Sequence, residues 1–363
     1  MKNTEMTKTE IKIKNLDTVA EYQKRLCRKP ELRQILVELT LKCNEHCFHC
    51  GSSCSAEQPH GLPLEEYKKL VDEIKENFCA KDKRTLIALT GGEPMLYPDF
   101  FPLIEYMNKQ RVPWGMTSNA TLINKENAKR LKECGLKSIS ISIDGLPKRH
   151  DQYRGLKNGF ELAMQGLQNL VELDFCNTMV TTVVNHENIN ELDKLFELFD
   201  TIDFNEWRLT GLEPIGRAEL MPEMHLTPED NKRLMAFIKE KRQAGLPVTY
   251  SCCHFLGIEN EAEVRDWYFL CNAGITVASI LVNGDVTACL DIPHNAKTIQ
   301  GNIHDASFTE IWNDRFEIFR RPLSERNETC AACPEAKWCR GGAYHSWDYE
   351  KEQQKICMKG ILF

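Results

Sequence analysis

The 363-residue chain has no apolar run long enough to cross a bilayer and no low-complexity stretch. It lacks an excess of basic charge as well. The net charge of -7 argues against nucleic-acid binding, which needs a basic field to replace phosphate counterions. Its one local basic cluster, Lys148, Arg149 and Arg154, reads as a solvated loop carrying one functional arginine. Met1 to Glu10 are polar and charged, so neither a signal peptide nor a lipidation site is expected there. The expected compartment is the cytoplasm. Cysteine is not scarce. There are sixteen, and clustered cysteines in a long chain of a reducing compartment bind metal more often than they build a disulfide scaffold. Most fall between residues 43 and 54 or between 252 and 357.

The composition, 42% apolar and 27% charged, is that of a soluble globular enzyme. From Ile35 onward, β-rich runs alternate with helical ones. Strands are expected at 35–39, 85–89, 115–118, 138–143, 178–184 and 205–209. Helices are expected at 64–78, 99–109, 125–134, 160–173 and 189–199. This alternation predicts an α/β fold with a parallel sheet and right-handed crossovers, whose binding loops gather at the strands' carboxyl ends. Thr227 caps a further helix over 227–243, with Pro228 in its first turn. Beyond it, Asn283-Gly284-Asp285 between two short apolar runs predicts a hairpin. A helix is expected around 309–320, and then a loop-like tail.

Cys43, Cys47 and Cys50 follow the first strand with a three-then-two spacing. Three thiolates on one loop can hold three corners of an iron–sulfur cube and leave one iron open for chemistry. A structural zinc site is the alternative, with Cys54 or His46 as its fourth ligand. Gly91-Gly92-Glu93-Pro94 follows the second strand, and Ser142 and Asp144 end the fourth. Arg154 comes shortly after, and Pro214-Ile215-Gly216-Arg217-Ala218 follows the sixth strand.

Over residues 33–220 this set resembles the radical S-adenosylmethionine enzymes. The resemblance implies a partial (β/α)6 barrel over 31–230, behind an N-terminal extension of residues 1–30. It implies a [4Fe-4S] cluster on Cys43, Cys47 and Cys50, whose open iron is chelated by S-adenosylmethionine. Gly91, Gly92, Glu93 and Pro94 would then meet the cofactor's amino group, Ser142 and Asp144 its ribose, and Arg154 its carboxylate. His49 stands where the family usually places an aromatic residue against adenine.

A second resemblance covers residues 231–363, a linker helix followed by a small cysteine-rich domain with a β-hairpin. Cys271, Cys289, Cys330, Cys333, Cys339 and Cys357, with Gly284, resemble the SPASM extension, which carries auxiliary iron–sulfur clusters. Cys330, Cys333, Cys339 and Cys357 complete the outer set; four cysteines also suit zinc. The inner set has Cys271 and Cys289, but Ala343 stands where the family has a cysteine. Cys252 and Cys253 could supply the missing thiolates, with His254, His294 or His345 as substitutes. Without a cluster there, Cys271 and Cys289 are ordinary buried thiols.

Asp291 falls near where some relatives place a proton-accepting carboxylate; the alternative is a turn residue. Cys27, Cys79, Cys134 and Cys176 read as small buried hydrophobes.

The activity implied is reductive cleavage of S-adenosylmethionine to a 5′-deoxyadenosyl radical, which abstracts a substrate hydrogen. The expected substrate is a peptide or protein, and the expected electron donor a flavodoxin or ferredoxin-type protein. Radical modification of a small molecule or cofactor precursor is the alternative, and a non-catalytic iron–sulfur or zinc protein the third reading. With about thirty residues before the first strand, no separate leader-peptide-binding domain is expected.

Overall fold

The computed structural model describes residues 6–79, 84–173, 177–251 and 253–363. Helix α1, Lys8–Arg28, opens the chain under a capping box made by Thr7 and Glu10. Strands β1 (Gln34–Thr40), β2 (Leu86–Gly91), β3 (Trp114–Ser118), β4 (Ser138–Ser142), β5 (Thr178–Val184), β6 (Glu206–Gly211) and β7 (Val248–Tyr250) lie side by side in that order, all parallel. Between them run α2 (Leu64–Phe78), α3 (Phe100–Gln110), α4 (Lys125–Glu133), α5 (Pro147–Arg154), α6 (Gly159–Val171), α7 (Leu192–Phe199) and α8 (Pro228–Gln243). This is the expected α/β architecture of a partial barrel.

The helices form because their apolar residues recur at helical spacing. In α2, Tyr67, Leu70, Val71 and Ile74 make one buried face. The strands alternate instead. In β4, Ile139 and Ile141 are fully buried, while Ser140 on the other face bonds Thr181 at 2.7 Å. Apolar residues thus bury one face of the sheet, and the other offers polar groups.

Three elements differ from the reading of the sequence, the first being the helix expected around 309–320, which ends at Asp314. The seventh parallel strand, β7, has only three residues, too few to show a period of two. The basic cluster is not a loop but α5, started by Pro147 at its first position. Arg149 there is held by Glu187 and Glu191.

After the short helix α9 (Glu261–Val264), the expected hairpin appears as β8 (Val277–Ile280) and β9 (Asp285–Thr287). Strand β8 also pairs in parallel with β1, and β9 pairs with β10 (Gly301–Asn302). One ten-stranded sheet therefore runs from β10 to β7. The tail holds α10 (Phe308–Asp314), the single turns α11 (Glu328–Ala331) and α12 (Ala336–Cys339), and a two-stranded ribbon of β11 (Trp347–Asp348) and β12 (Gln353–Gln354). Helix α1 fastens this tail, since Asp17 takes Trp338 Nε1 and Lys337 Nζ, both at 2.8 Å. No helix among the described residues is long and apolar enough to cross a membrane.

Candidate active site

The cysteine loop leaves the carboxyl end of β1 and is clamped by the ends of neighbouring strands. Gly92 N–H donates to Thr40 O at 2.7 Å, and Glu93 N–H to Lys42 O at 3.0 Å. A Cβ on Gly91 would stand 2.1 Å from Thr40 O, and one on Gly92 2.1 Å from Lys42 O. Only glycine allows this approach. From the α5 side, Arg154 O and Tyr153 O accept from His46 N–H and Phe48 N–H.

A third clamp is the segment after β6. Arg217 Nε donates to Cys47 O at 2.7 Å and Nη1 to Cys54 O at 3.0 Å. Gly216, at φ 56°, packs so tightly that a Cβ would lie 2.4 Å from both Cys50 O and Gly51 O. The sequence marked this segment but gave Arg217 no role of its own; an arginine beside a glycine after a strand was the available signal.

Cys43 is buried, and Cys47 and Cys50 are half-buried. Burial pushes the Cys43 thiol up to about 11 and also raises that of Cys47. Cys50 goes the other way and is lowered, because the Cys54 thiol and N–H donate to its sulfur and the charges of Arg217 and His49 assist. Metal binding takes the protons from these thiols.

Behind the loop lies a buried charge network. Arg154 reaches Glu45 at 2.8 Å and Asp144 at 2.7 Å, and His49 Nε2 stands 3.2 Å from the same Asp144 oxygen. Asp144's other oxygen accepts Val183 N–H at 2.8 Å. Burial opposes ionisation of Asp144, but Arg154 and His49 outweigh it and hold its pKa far below the usual range. The resemblance implies cofactor contact for Asp144 and Arg154. In this structure the Asp144 carboxylate is turned wholly inward and orients Arg154 and His49. Ser142 lies half-buried at the strand end, paired in register with Thr181. Glu45, which the sequence did not single out, completes the network.

Glu93 is fully buried and also faces inward. Ser118 Oγ donates to it at 2.9 Å, Asn119 N–H at 2.9 Å and Met95 N–H at 3.2 Å. Burial raises its pKa to about 7. Pro94 starts the short turn that follows. Asp291 comes close to the cysteine loop, with Oδ1 3.4 Å from where a Cβ on Gly51 would be.

Among the described residues, several buried polar atoms around the loop have no partner: Glu45 Oε1, His49 Nδ1 and Arg217 Nη2. Buried polar groups are rarely left so. A polar cofactor beside three thiols fits these orphans.

In the tail, Cys330, Cys333, Cys339 and Cys357 are near enough to act on one another electrostatically. Burial raises Cys330, with Cys357 and Cys333 adding to it, and pushes Cys339 up to about 12, with Cys357 and Cys330 adding. Cys271 is buried and Cys289 half-buried, and both bear on Tyr349. Ala343 is fully buried nearby in the chain, beside Tyr344. Cys253 is buried after β7 with Thr210 and Ser251 hydroxyls on its sulfur. Cys252 and Cys176 lie outside the described residues.

A parallel partial barrel with a three-cysteine loop at its strand ends defines an enzyme built around an iron–sulfur cluster with an open coordination position. Residues 37–199 match the Radical SAM superfamily and 271–334 the SPASM iron-sulfur cluster-binding domain. Mycofactocin maturase MftC of Mycolicibacterium smegmatis is 31% identical over 310 residues, 84% of this chain and 76% of that protein. The AdoMet-dependent heme synthase of Methanosarcina barkeri is 28% identical over 348 residues, 90% of this chain and 96% of the synthase. Streptococcus suis SuiB bound to S-adenosylmethionine shares the fold at TM-score 0.71 and 16% identity, over 92% of this chain and 77% of SuiB. The chain belongs to the radical SAM superfamily and carries a SPASM extension. Its cofactors are a [4Fe-4S] cluster and S-adenosylmethionine, with auxiliary iron–sulfur clusters in the SPASM region.

Proposed function

We propose that this enzyme modifies a peptide or protein by abstracting a hydrogen atom from it. The observation that carries this reading is the 31% identity to a maturase over most of both chains. Cys43, Cys47 and Cys50 hold the cluster with the open iron, and Cys330, Cys333, Cys339 and Cys357 an auxiliary one. When bound, the cluster and S-adenosylmethionine supply a 5′-deoxyadenosyl radical. The chain's own residues fix where that chemistry happens. Gly91 and Gly92 bring the β2 end onto the cysteine loop, so the motif's backbone rather than the Glu93 carboxylate lies open to the cofactor's amine. Asp144 and Glu45 orient Arg154, and His49 presents its ring beside them. Arg217 binds the loop's carbonyls and closes it against the barrel. In this reading Asp291, near the cysteine loop, takes up a substrate proton. Electrons come from a flavodoxin or ferredoxin-type protein in the cytoplasm.

A second reading, tetrapyrrole modification, is favoured by the heme synthase, which this chain matches over 96% of its length. One experiment separates the two. Anaerobically reconstituted enzyme with dithionite and S-adenosylmethionine is expected to form 5′-deoxyadenosine. Peptides encoded beside its gene should raise that yield and change in mass. If a tetrapyrrole precursor of heme does so and no peptide does, the second reading replaces the first. No 5′-deoxyadenosine under any condition would overturn both.

A further inference from the structure

Glu213, Cys253 and His345 form a gathering of donor groups apart from the cysteine loop and the tail cysteines. One ligand atom from each lies within 4.8 Å of the others, and Cys253 and His345 are buried. They come from three parts of the chain: after β6, after β7, and the turn Tyr344–Ser346 of the tail.

The spacing separates two kinds of metal centre. A cube spreads its ligands over several irons. A single tetrahedral ion, with bonds of about 2.0–2.3 Å, draws its ligands to about 3.5 Å of one another. The group is a small inward closure short of that arrangement.

The surroundings fit too. Thr210 Oγ1 and Ser251 Oγ each lie 3.1 Å from the Cys253 sulfur. A thiol has one proton to give, so at least one hydroxyl donates into sulfur; a thiolate accepts from both. His254 Nε2 sits 2.6 Å from one Glu213 oxygen, and Ser346 Oγ donates to the other at 3.0 Å. Groups of this kind orient metal ligands from behind. A carboxylate, an imidazole and a thiol gathered from three parts of the chain make a site where a cation can take the place of the thiol's proton.

We propose that Glu213, Cys253 and His345 bind one divalent transition-metal ion of the zinc or ferrous type. His254 steadies Glu213, and the fourth position is left to water or substrate. Binding forms a metal–sulfur bond, the Cys253 proton passes to solvent, and no electron moves. The site borders the cysteine loop. Two residues past Glu213, Ile215 Cγ2 stands 3.6 Å from where a Cβ on Gly51 would be, and Asp291 bears on Cys253 electrostatically. Carboxylate, imidazole and thiolate together suit zinc or ferrous iron rather than magnesium or calcium. An open fourth position is what a metal needs to polarise a substrate oxygen.

The test uses the cluster-loaded enzyme, incubated anaerobically with one equivalent of zinc chloride, desalted, and analysed for zinc, iron and sulfide. Zinc X-ray absorption should show one sulfur at about 2.3 Å with nitrogen and oxygen at about 2.0–2.1 Å. Cys253→Ser and His345→Gln should lose the zinc and keep their iron and sulfide. Thr210→Val should weaken zinc binding about tenfold or more. Wild-type enzyme that retains no zinc overturns the proposal, as does a sulfur-only shell or zinc retained by both ligand variants. If the ligand variants lose iron as well, Thr210→Val decides, and unchanged affinity in it overturns the site.

Discussion

The cysteine loop of the barrel and the cysteines of the tail serve related metal chemistry on very different foundations. Cys43, Cys47 and Cys50 are clamped by β2, by α5 and by the segment after β6, through backbone bonds and Arg217. Cys330 and Cys339 sit on single helical turns, and Cys357 is exposed. Cys333 is held from the surface by Lys359 and Glu335. The loop is shaped by protein contacts and can receive its metal ready-made. The tail is packed into the core by Trp347, Tyr344 and Tyr349 and tied to the rest of the chain through Asp17, Glu213 and Glu219. Its cysteines, however, sit on short turns that depend on their metal to hold them together.

The largest expected effects break this comparison directly. Alanine at Cys43, Cys47 and Cys50 should abolish 5′-deoxyadenosine formation and remove about four irons per chain, with limited proteolysis of the barrel unchanged. Serine at Cys330, Cys333 and Cys339 should have the opposite profile. Dithionite-driven cofactor cleavage persists, and the tail becomes the first site of proteolytic cutting. A tail equally resistant without those cysteines would remove the contrast.

Next comes the charge network behind the loop. Arg154→Met leaves Glu45 and Asp144 buried without their cation, which should cost about 3–5 kcal/mol in urea unfolding of the cofactor-free protein. A loss below about 1 kcal/mol would show the pair to be solvated rather than buried.

The smallest effect concerns Glu93. Its folded pKa of about 7 is above the 4.5 of the free group. Its contribution to stability is therefore complete below 4.5 and lost as pH rises through 7, an amount of roughly 3 kcal/mol. Between pH 5, where a little of it is already lost, and pH 8, about 2.5 kcal/mol of this should disappear from the stability difference in Glu93→Gln, read by urea unfolding. An unchanged difference would mean that Ser118 and Asn119 already compensate for burial.

Much of this was legible in the chain because its signals are local. The three-then-two cysteine spacing, the paired glycines after a strand, and Thr227-Pro228 before an apolar period each fit within a few residues. What stayed hidden depends on contacts across the fold. The inward turn of Asp144 and Glu93 follows from Arg154, Ser118 and Asn119, which only the folded barrel brings to them. Glu45 lies inside the cysteine motif, yet its role appears only with Arg154 opposite. The three-residue β7 and the pairing of β8 with β1 leave no periodic trace, since a neighbour across a sheet is not written in the strand itself.

That last pairing bears on how the protein is made. Strand β1 emerges early from the ribosome, and β2 can join one of its edges soon afterwards. Its other edge waits for β8, whose residues are synthesised only after the rest of the barrel. Until then a row of backbone donors and acceptors beside the cysteine loop stays unpaired, a surface prone to mispairing. Closing it joins segments far apart in sequence, which makes it a late and slow step. The hairpin is thus the fastener of the nascent barrel, and a ribosome stalled before β8 would release a chain with its metal-binding loop on an open edge.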